Sequence, residues 1–90
     1  MKTKKENYCT EFADGTKIDH YSACGCFEGF DPREDITDNI RAASYIAGTG
    51  LWRGLQGFYG RAINSMVENG AMTWEGIVNW DMVNELIENN

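Results

Sequence analysis

The single proline, Pro32, divides the chain into two parts whose hydrophobic residues follow different periods. Before it, residues 7–12 and 17–23 are β-prone runs with period-2 alternation, which is typical of strands. Asp14-Gly15 lies between these runs and favours a type I′ turn, because both central residues of that turn need a positive φ. The N-terminal part is therefore predicted to be an antiparallel β-hairpin with Phe12 opposite Lys17.

The part that follows the proline is predicted to begin with a helix. Asp31 suits the N-cap, Pro32 the first helical position, and Glu34 the third position of a capping box. Apolar residues then recur at i, i+4, i+7 and i+11, namely Ile36, Ile40, Ala43 and Ala47. This spacing predicts one buried helix face that ends at Gly48.

Three further helical segments are predicted. The first covers residues 51–68 and is ended by Asn69-Gly70, and the second is a short helix capped by Thr73 that runs through Val78. A break near Asn79 is expected before the last helix, because one straight helix over residues 74–89 would scatter its apolar residues around the axis.

These elements predict an α+β fold in which the hairpin, possibly extended to a small sheet, packs against three to four helices. Residues 7–90 are expected to form a single domain, and residues 1–6 a frayed basic tail. The N-terminus lacks the hydrophobic region of a signal peptide, and no stretch approaches the roughly 18 apolar residues of a membrane span. The chain is therefore expected to be cytoplasmic and to have no membrane partner.

The charge distribution narrows the class of partner. The net charge is −6, and three of the eight basic residues lie in the tail, at Lys2, Lys4 and Lys5. From Ala62 to the C-terminus there is no Lys or Arg. Such a body repels phosphate backbones, which disfavours direct nucleic-acid binding and favours the basic surface of a larger protein.

The candidate partner-binding residues are acids and aromatic anchors. Acids cluster between residues 28 and 38 and recur in the last helix, while tryptophan is a common anchor at interfaces. The acidic cluster lacks the ligand spacing and central glycine of a calcium loop, and helix capping accounts for part of it. The candidate residues are Glu28, Asp31, Glu34, Asp35, Asp38, Trp52, Trp80, Asp81, Glu85 and Glu88.

A row of glycines in the predicted 51–68 helix is a second candidate contact surface. Gly54, Gly57 and Gly60 fall opposite the apolar arc of that helix, and each glycine costs about 0.8–1 kcal/mol relative to alanine in a helix interior. Close approach of another backbone would compensate for that loss. The alternatives are packing within the same chain, or a loop through Gly54 followed by a later helix start.

Cys9, His20, Cys24 and Cys26 make up the one candidate metal set. Three cysteines and one histidine match a structural zinc site, and the hairpin register would place all four on one face. The Cys-x-Cys spacing is tighter than in common zinc knuckles, so reduced thiols without a metal or cofactor are the expected state. No oxyanion site or substrate pocket is indicated around this pair of residue types, which disfavours an enzyme.

These features predict a non-enzymatic acidic protein that binds or blocks a larger partner at a basic, nucleic-acid-facing surface. In overall character, rather than in matched residues, the chain is similar to small phage-encoded proteins that disarm host defence, including anti-CRISPR proteins. That similarity implies an inhibitor acting in the host cytoplasm. The alternative is a small structural or homo-oligomeric module, possibly stabilised by zinc.

Overall fold

In a computed structural model, residues 8–31, 33–55 and 57–88 of the chain are described. They contain four α-helices, α1 (His20–Glu28), α2 (Asp38–Thr49), α3 (Gly57–Glu68) and α4 (Trp80–Glu88), and a short 3₁₀ helix, Leu51–Gly54. Within these ranges strand-type pairing is limited to two isolated antiparallel bridges, Glu11 with Lys17 and Met72 with Val78. The predicted α+β fold is wrong: the chain has a small all-helical fold. The predicted basic tail, residues 1–6, lies outside the described residues.

The predicted hairpin is reduced to a tight turn. Gly15 has a φ of +90°, and its amide donates a hydrogen bond to the Phe12 carbonyl over 2.9 Å. Glu11, rather than Phe12, lies opposite Lys17, so the loop is longer than the predicted two residues. The chain turns at Asp14-Gly15 as predicted, but the turn is not of type I′, because Gly15 has a positive φ and Asp14 does not. The register and the second strand are also wrong.

Helix α1 takes the place of the second strand because of a capping box. The Asp19 carboxylate accepts a hydrogen bond from the Ser22 amide over 2.8 Å, and the Ser22 hydroxyl accepts one from the Asp19 amide over 2.9 Å. These bonds satisfy amide groups that a helix start leaves without partners. A local hydrogen-bond pair thereby overrides the β-propensity of residues 20–23.

Helix α2 confirms a helix after Pro32 but begins later than predicted, with Thr37 rather than Asp31 at the N-cap. Asp35 accepts hydrogen bonds from both the amide and the hydroxyl of Thr37, and this turn keeps the preceding residues out of the helix. Ile36 is consequently 68% exposed instead of lying on the buried face. The helix also runs past Gly48 to Thr49.

The predicted helix over residues 51–68 is divided between the 3₁₀ helix and α3. Its end is confirmed at Asn69-Gly70, where Gly70 has a φ of +79°. The Gly70 amide donates to the Val67 carbonyl and the Ala71 amide to the Met66 carbonyl, each over 3.0 Å. This hydrogen-bond pattern is that of a Schellman motif.

The segment before α4 is a tight loop rather than the predicted short helix. Gly76 has a φ of +88°, and the Thr73 amide donates to the Ile77 carbonyl over 3.0 Å, which closes the loop. The break near Asn79 is confirmed, because its side chain accepts from the Met82 amide over 3.2 Å at the start of α4. None of the described helices has the length and apolar character needed to cross a membrane.

Helix α2 lies at the centre of the core. Its buried face carries small residues, Ala42, Ala43 and Ala47, which allow α1 to pack closely against it. The larger core side chains include Ile46, Tyr59 and Ile63. The same helix contacts the loop before α4, where the Ser44 hydroxyl donates to the Gly76 carbonyl. The N-terminal turn and the C-terminal loop are thus both anchored on α2.

Candidate functional site

Asp38, at the start of α2, is buried in a network of ions and hydrogen bonds. Only 3% of the residue is exposed. Its Oδ1 accepts from the Ala13 amide over 2.9 Å and lies 3.3 Å from the Arg41 Nε, and its Oδ2 lies 3.7 Å from the Arg33 Nε. These partners offset the loss of hydration that burial imposes on a carboxylate. Asp38, predicted to bind a partner protein, is therefore already engaged within the chain.

Both arginines of this network are also held against aromatic rings. The Arg33 guanidinium lies 4.1 Å from the centroid of Phe12 and donates to the Asp14 carboxylate over 2.9 Å. The Arg41 guanidinium lies 4.7 Å from the centroid of Trp80. Trp80, predicted as an exposed anchor, is half-buried in this contact. The network thus uses two of the chain's positive charges and one of its tryptophans for internal packing.

An open groove of about 430 Å³ lies over this network. Three exposed carboxylates line it, from Asp14 in the N-terminal turn and from Glu34 and Asp35 before α2, and we call these three residues the acidic face. Hydrogen bonds from Thr16 lower the pKa of Asp14, and hydrogen bonds from Thr37 lower the pKa of Asp35. Both carboxyls therefore stay ionised in mildly acidic solution.

The exposed charge of the described residues is strongly negative. Eleven acidic residues are exposed, against three exposed basic residues, Lys17, Arg53 and Arg61. Arg33 and Arg41 do not add to the exposed positive charge to the same extent, because their side chains are 19% and 27% exposed. The acidic character expected from the sequence is thus concentrated at the surface by the burial of the two arginines.

Glu28 and Asp31, the first members of the predicted acidic cluster, take part in packing. The Tyr59 hydroxyl donates a hydrogen bond to the Glu28 carboxylate and thereby links α1 to α3. Burial of Tyr59, together with this bond, raises the pKa of its hydroxyl. Asp31 is half-buried, and its amide donates to the Gly25 carbonyl over 3.0 Å.

The acids of α4 remain at the surface. Asp81, Glu85 and Glu88 are all exposed and follow one another at i, i+4 and i+7. This spacing places them along one stripe of the helix. They extend the negative surface beyond the acidic face.

The glycine row does not form a strip on one helix. Gly54 ends the 3₁₀ helix and Gly57 begins α3, so the two residues belong to different elements. Gly60 is covered from within the chain, because a Cβ atom there would lie 3.4 Å from the Trp52 ring. Trp52 itself is half-buried and packs against Trp74 with 5.2 Å between ring centroids.

The cysteine and histidine set is divided between the segment before α1, which holds Cys9, and α1 itself, where His20 is exposed and Cys26 is buried. The strand register that would place the four residues on one face is absent, because His20 begins α1. Cys9, Cys24 and Cys26 are free thiols, and the buried Cys26 lies 3.2 Å from the Asn39 Oδ1. Burial raises the pKa of the Cys26 thiol. Across the described ranges, no three His, Cys, Asp or Glu side chains form a group suited to a metal ion.

A second surface was not singled out by the sequence. An open groove of about 210 Å³ lies between the start of α2, the end of α3 and α4, and we call it the apolar groove. Its exposed aliphatic side chains are Ile36, Leu86 and Ile87, at 68%, 40% and 37% exposure, and the exposed Asn39 and Asn69 also line it. The sequence pattern predicted that Ile36 lies on a buried helix face. Thr37-Asp38 is an alternative helix start, and a helix that begins there leaves Ile36 outside it, so this pair was the signal that could have predicted the exposure of Ile36. No local signal connects Asp14 with Arg33.

Comparison of the chain with protein-family models, curated proteins and solved structures gives no match. Evidence on function therefore comes from two surfaces of the molecule, the acidic face and the apolar groove. The first is charged and backed by a fixed ion network, and the second is uncharged and open.

Proposed function

We propose that the protein is a non-enzymatic binding protein that docks with its acidic face on a basic surface of a larger protein. This proposal rests on one observation: around Asp38 the positive side chains point into the protein and the negative ones lie at the surface. Arg33 and Arg41 are turned into the ion network, while Asp14, Glu34 and Asp35 stay at the surface. The result is a rigid platform of carboxylates with few exposed cations to neutralise it.

Carboxylates held on a rigid domain suit a partner rich in Lys and Arg. They compete for the same cations that hold phosphate groups, so a nucleic-acid-binding groove is the kind of surface that fits best. The expected role as an inhibitor of host defence belongs to this proposal. The three free thiols fit a cytoplasmic setting, where cysteines are kept reduced.

The test is capture of partners by the immobilised full chain from a lysate of a suitable host, followed by mass spectrometry. The variant Glu34→Lys reverses a charge of the acidic face without touching Asp14, whose salt bridge holds Arg33, or Asp35, whose hydrogen bonds with Thr37 fix the start of α2. Glu68→Lys is the matched control, because it makes the same change in net charge at an exposed position outside both grooves.

We expect the captured partner to have a basic surface and to bind about tenfold more weakly at physiological than at low salt. The acidic-face variant should lose the partner, whereas the control variant should retain it. A partner held equally well by both variants, or bound without regard to salt, would contradict the proposal. Circular dichroism of each variant checks that the fold is unchanged.

A further inference from the structure

We propose that the apolar groove binds an amphipathic helix of the partner protein, with the apolar side of that helix in the groove and its Lys and Arg residues toward the surrounding acids. This inference rests on the proposed function, because it specifies which element of the basic partner is bound. It starts from the composition of the groove, whose apolar lining comes from Ile36, Ile40, Met66, Val83, Leu86 and Ile87.

The exposed aliphatic side chains are the first reason to expect an occupant. Three aliphatic side chains that are 37–68% exposed lie in one groove, so a partner that covers them would remove further apolar surface from water. Among the residues that line the groove, only Val83 and Ala71 are buried. Helix α4 also makes few close approaches to the other described helices. A further packed element would complete the layer that α4 begins.

The charge around the groove selects the partner's chemistry. No Lys or Arg is among the lining residues, and the sequence from residue 62 onward contains none. The nearest acids lie beside the groove rather than in its lining: Asp35 precedes Ile36, and Glu85 and Glu88 are each about 100° around α4 from the neighbouring Leu86 or Ile87. A partner element with an apolar stripe and flanking cations is complementary to this arrangement.

The shape of the groove favours a helix over the other recognition modes. Helices α2 and α4 supply two of its walls, and a third helix packs against such walls at an axial distance of about 8–10 Å. Isolated bridges in the described residues offer no strand edge to which a peptide strand would add. Helix α4 has nine residues and is about 13 Å long, so a partner helix of about three turns matches it.

Four other occupants fit the groove less well. A small molecule needs a pocket of about 300–1,000 Å³ with convergent polar groups. An anionic membrane surface would be repelled by the flanking acids. A second copy of this chain would bring the same acids against one another, and the chain's own tail, residues 1–6, contains Met1 as its one apolar residue.

The test uses a synthetic peptide of about 14 residues in which leucine occurs at i, i+3, i+4 and i+7 and lysine elsewhere. A peptide of the same composition in scrambled order is the control for charge alone. Binding to the full chain is followed by methyl and amide NMR shifts, which separate the apolar groove from the acidic face. Sedimentation velocity of the chain alone reports self-association.

Two protein variants supply a matched pair. Ile36→Glu changes a groove residue that is 68% exposed, and Ile77→Glu changes an isoleucine that is 43% exposed and lies outside the groove. Both variants should fold, because exposed substitutions change stability by about 0.5 kcal/mol or less. We expect Ile36→Glu to weaken peptide binding about tenfold or more, and Ile77→Glu to change it less than about twofold.

Shifts at the methyl groups of Ile36, Leu86 and Ile87 that the scrambled peptide does not cause would support the proposal. Shifts confined to the acidic face, with equal binding of both peptides, would overturn it and leave the proposed function standing. Failure of both peptides to bind at low salt would contradict both. A dimer that Ile36→Glu abolishes would assign the groove to a second copy and would also overturn the proposal.

Discussion

Two regions that meet at the start of α2, the ion network around Asp38 and the apolar groove along α4, differ in how far their chemistry is satisfied within the chain. Around Asp38, every strong charge has a partner within the chain: two guanidinium groups, a backbone amide and two aromatic rings. Around α4, aliphatic side chains remain in solvent, and Val83 is the one residue of that helix that is buried. The first region is satisfied within the chain except at the Arg41 Nε, which lies 3.3 Å from the Asp38 Oδ1 without forming a hydrogen bond, whereas the second has unused packing capacity.

The two regions are expected to contribute to different properties, the ion network to stability and the apolar groove to binding. A buried charge network is destabilised strongly when one member is lost, because the remaining charges are left without compensation. An exposed apolar groove contributes little to the stability of the isolated protein, and its contribution appears when a partner covers it. The N-terminal network is therefore expected to stabilise the fold, while the acidic face that it supports and the apolar groove are expected to contact the partner.

The strongest test of this contrast is Asp38→Ala. The substitution leaves Arg33, Arg41 and the Ala13 amide without their shared acceptor, and we expect the free energy of unfolding to fall by about 3 kcal/mol. The value is at the low end for a buried pair, because the two arginines are partly exposed. Urea unfolding measures it, with Glu34→Ala as the control. A loss below that of the control plus measurement error would show that the network is not what holds the N-terminal turn on α2.

Hydrogen exchange compares the two regions directly in the unmodified protein. Amides of α2 at residues 42–47 should exchange only by global unfolding, because that face is buried in the core. Amides of α4 should exchange roughly 100-fold faster through local opening, because α4 is held by fewer contacts. Addition of the leucine-lysine peptide should slow exchange in α4. Equal protection of the two helices in the free protein would remove the contrast.

Arg33→Lys tests whether the network needs the guanidinium or only its charge. Lysine keeps the positive charge but loses the planar contact with Phe12 and the geometry by which one guanidinium donates to Asp14 and lies 3.7 Å from Asp38. We expect a loss of about 1 kcal/mol in the free energy of unfolding. Arg61→Lys, an exposed arginine for which the described residues show no salt bridge, is the control. Equal stability of both variants would show that charge alone suffices.

The smallest effect is expected from acid titration of the acidic face. Since hydrogen bonds lower the pKa of Asp14 and Asp35, their contribution to stability is present above the unfolded-state value near 3.8. It is lost as the pH falls through the lower, folded-state values. NMR titration of the carboxyl carbons should place both midpoints below 3.8. Thr16→Val should raise the Asp14 midpoint and leave that of Asp35 unchanged; a midpoint at or above 3.8 in the unmodified protein would contradict this.

The elements that the sequence predicted correctly are those with strong local signals. Asp14-Gly15 forms a turn, Asn69-Gly70 ends α3, and Asn79 separates the last helix from the preceding loop. Each depends on a residue whose own backbone or side chain makes the necessary bond, so distant parts of the chain are not needed. The acidic surface also follows from composition, since few cations were present to neutralise it.

The sequence pattern failed where two local signals competed. Residues 20–23 have β-propensity, yet the Asp19–Ser22 capping box starts a helix there. Asp31 and Thr37 both suit an N-cap, and the later one is used because the Asp35 turn and the burial of Asp38 fix the helix start. Single-sequence patterns do not rank such alternatives, because the deciding free energy comes from packing.

By itself, then, the sequence determined the turn at Asp14-Gly15, the helix end at Asn69-Gly70, the break near Asn79 and the negative charge of this protein, because these depend on the chemistry of neighbouring residues. Only the tertiary structure decided that Asp38 is buried, that Arg33 joins Asp14 across nineteen positions, and that Ile36 lies in solvent beside Leu86. The physical reason is that burial and ion pairing depend on which segments meet in space. In this protein the packing of the core determines which segments come into contact, and the small residues of α2 set how closely the other elements approach it.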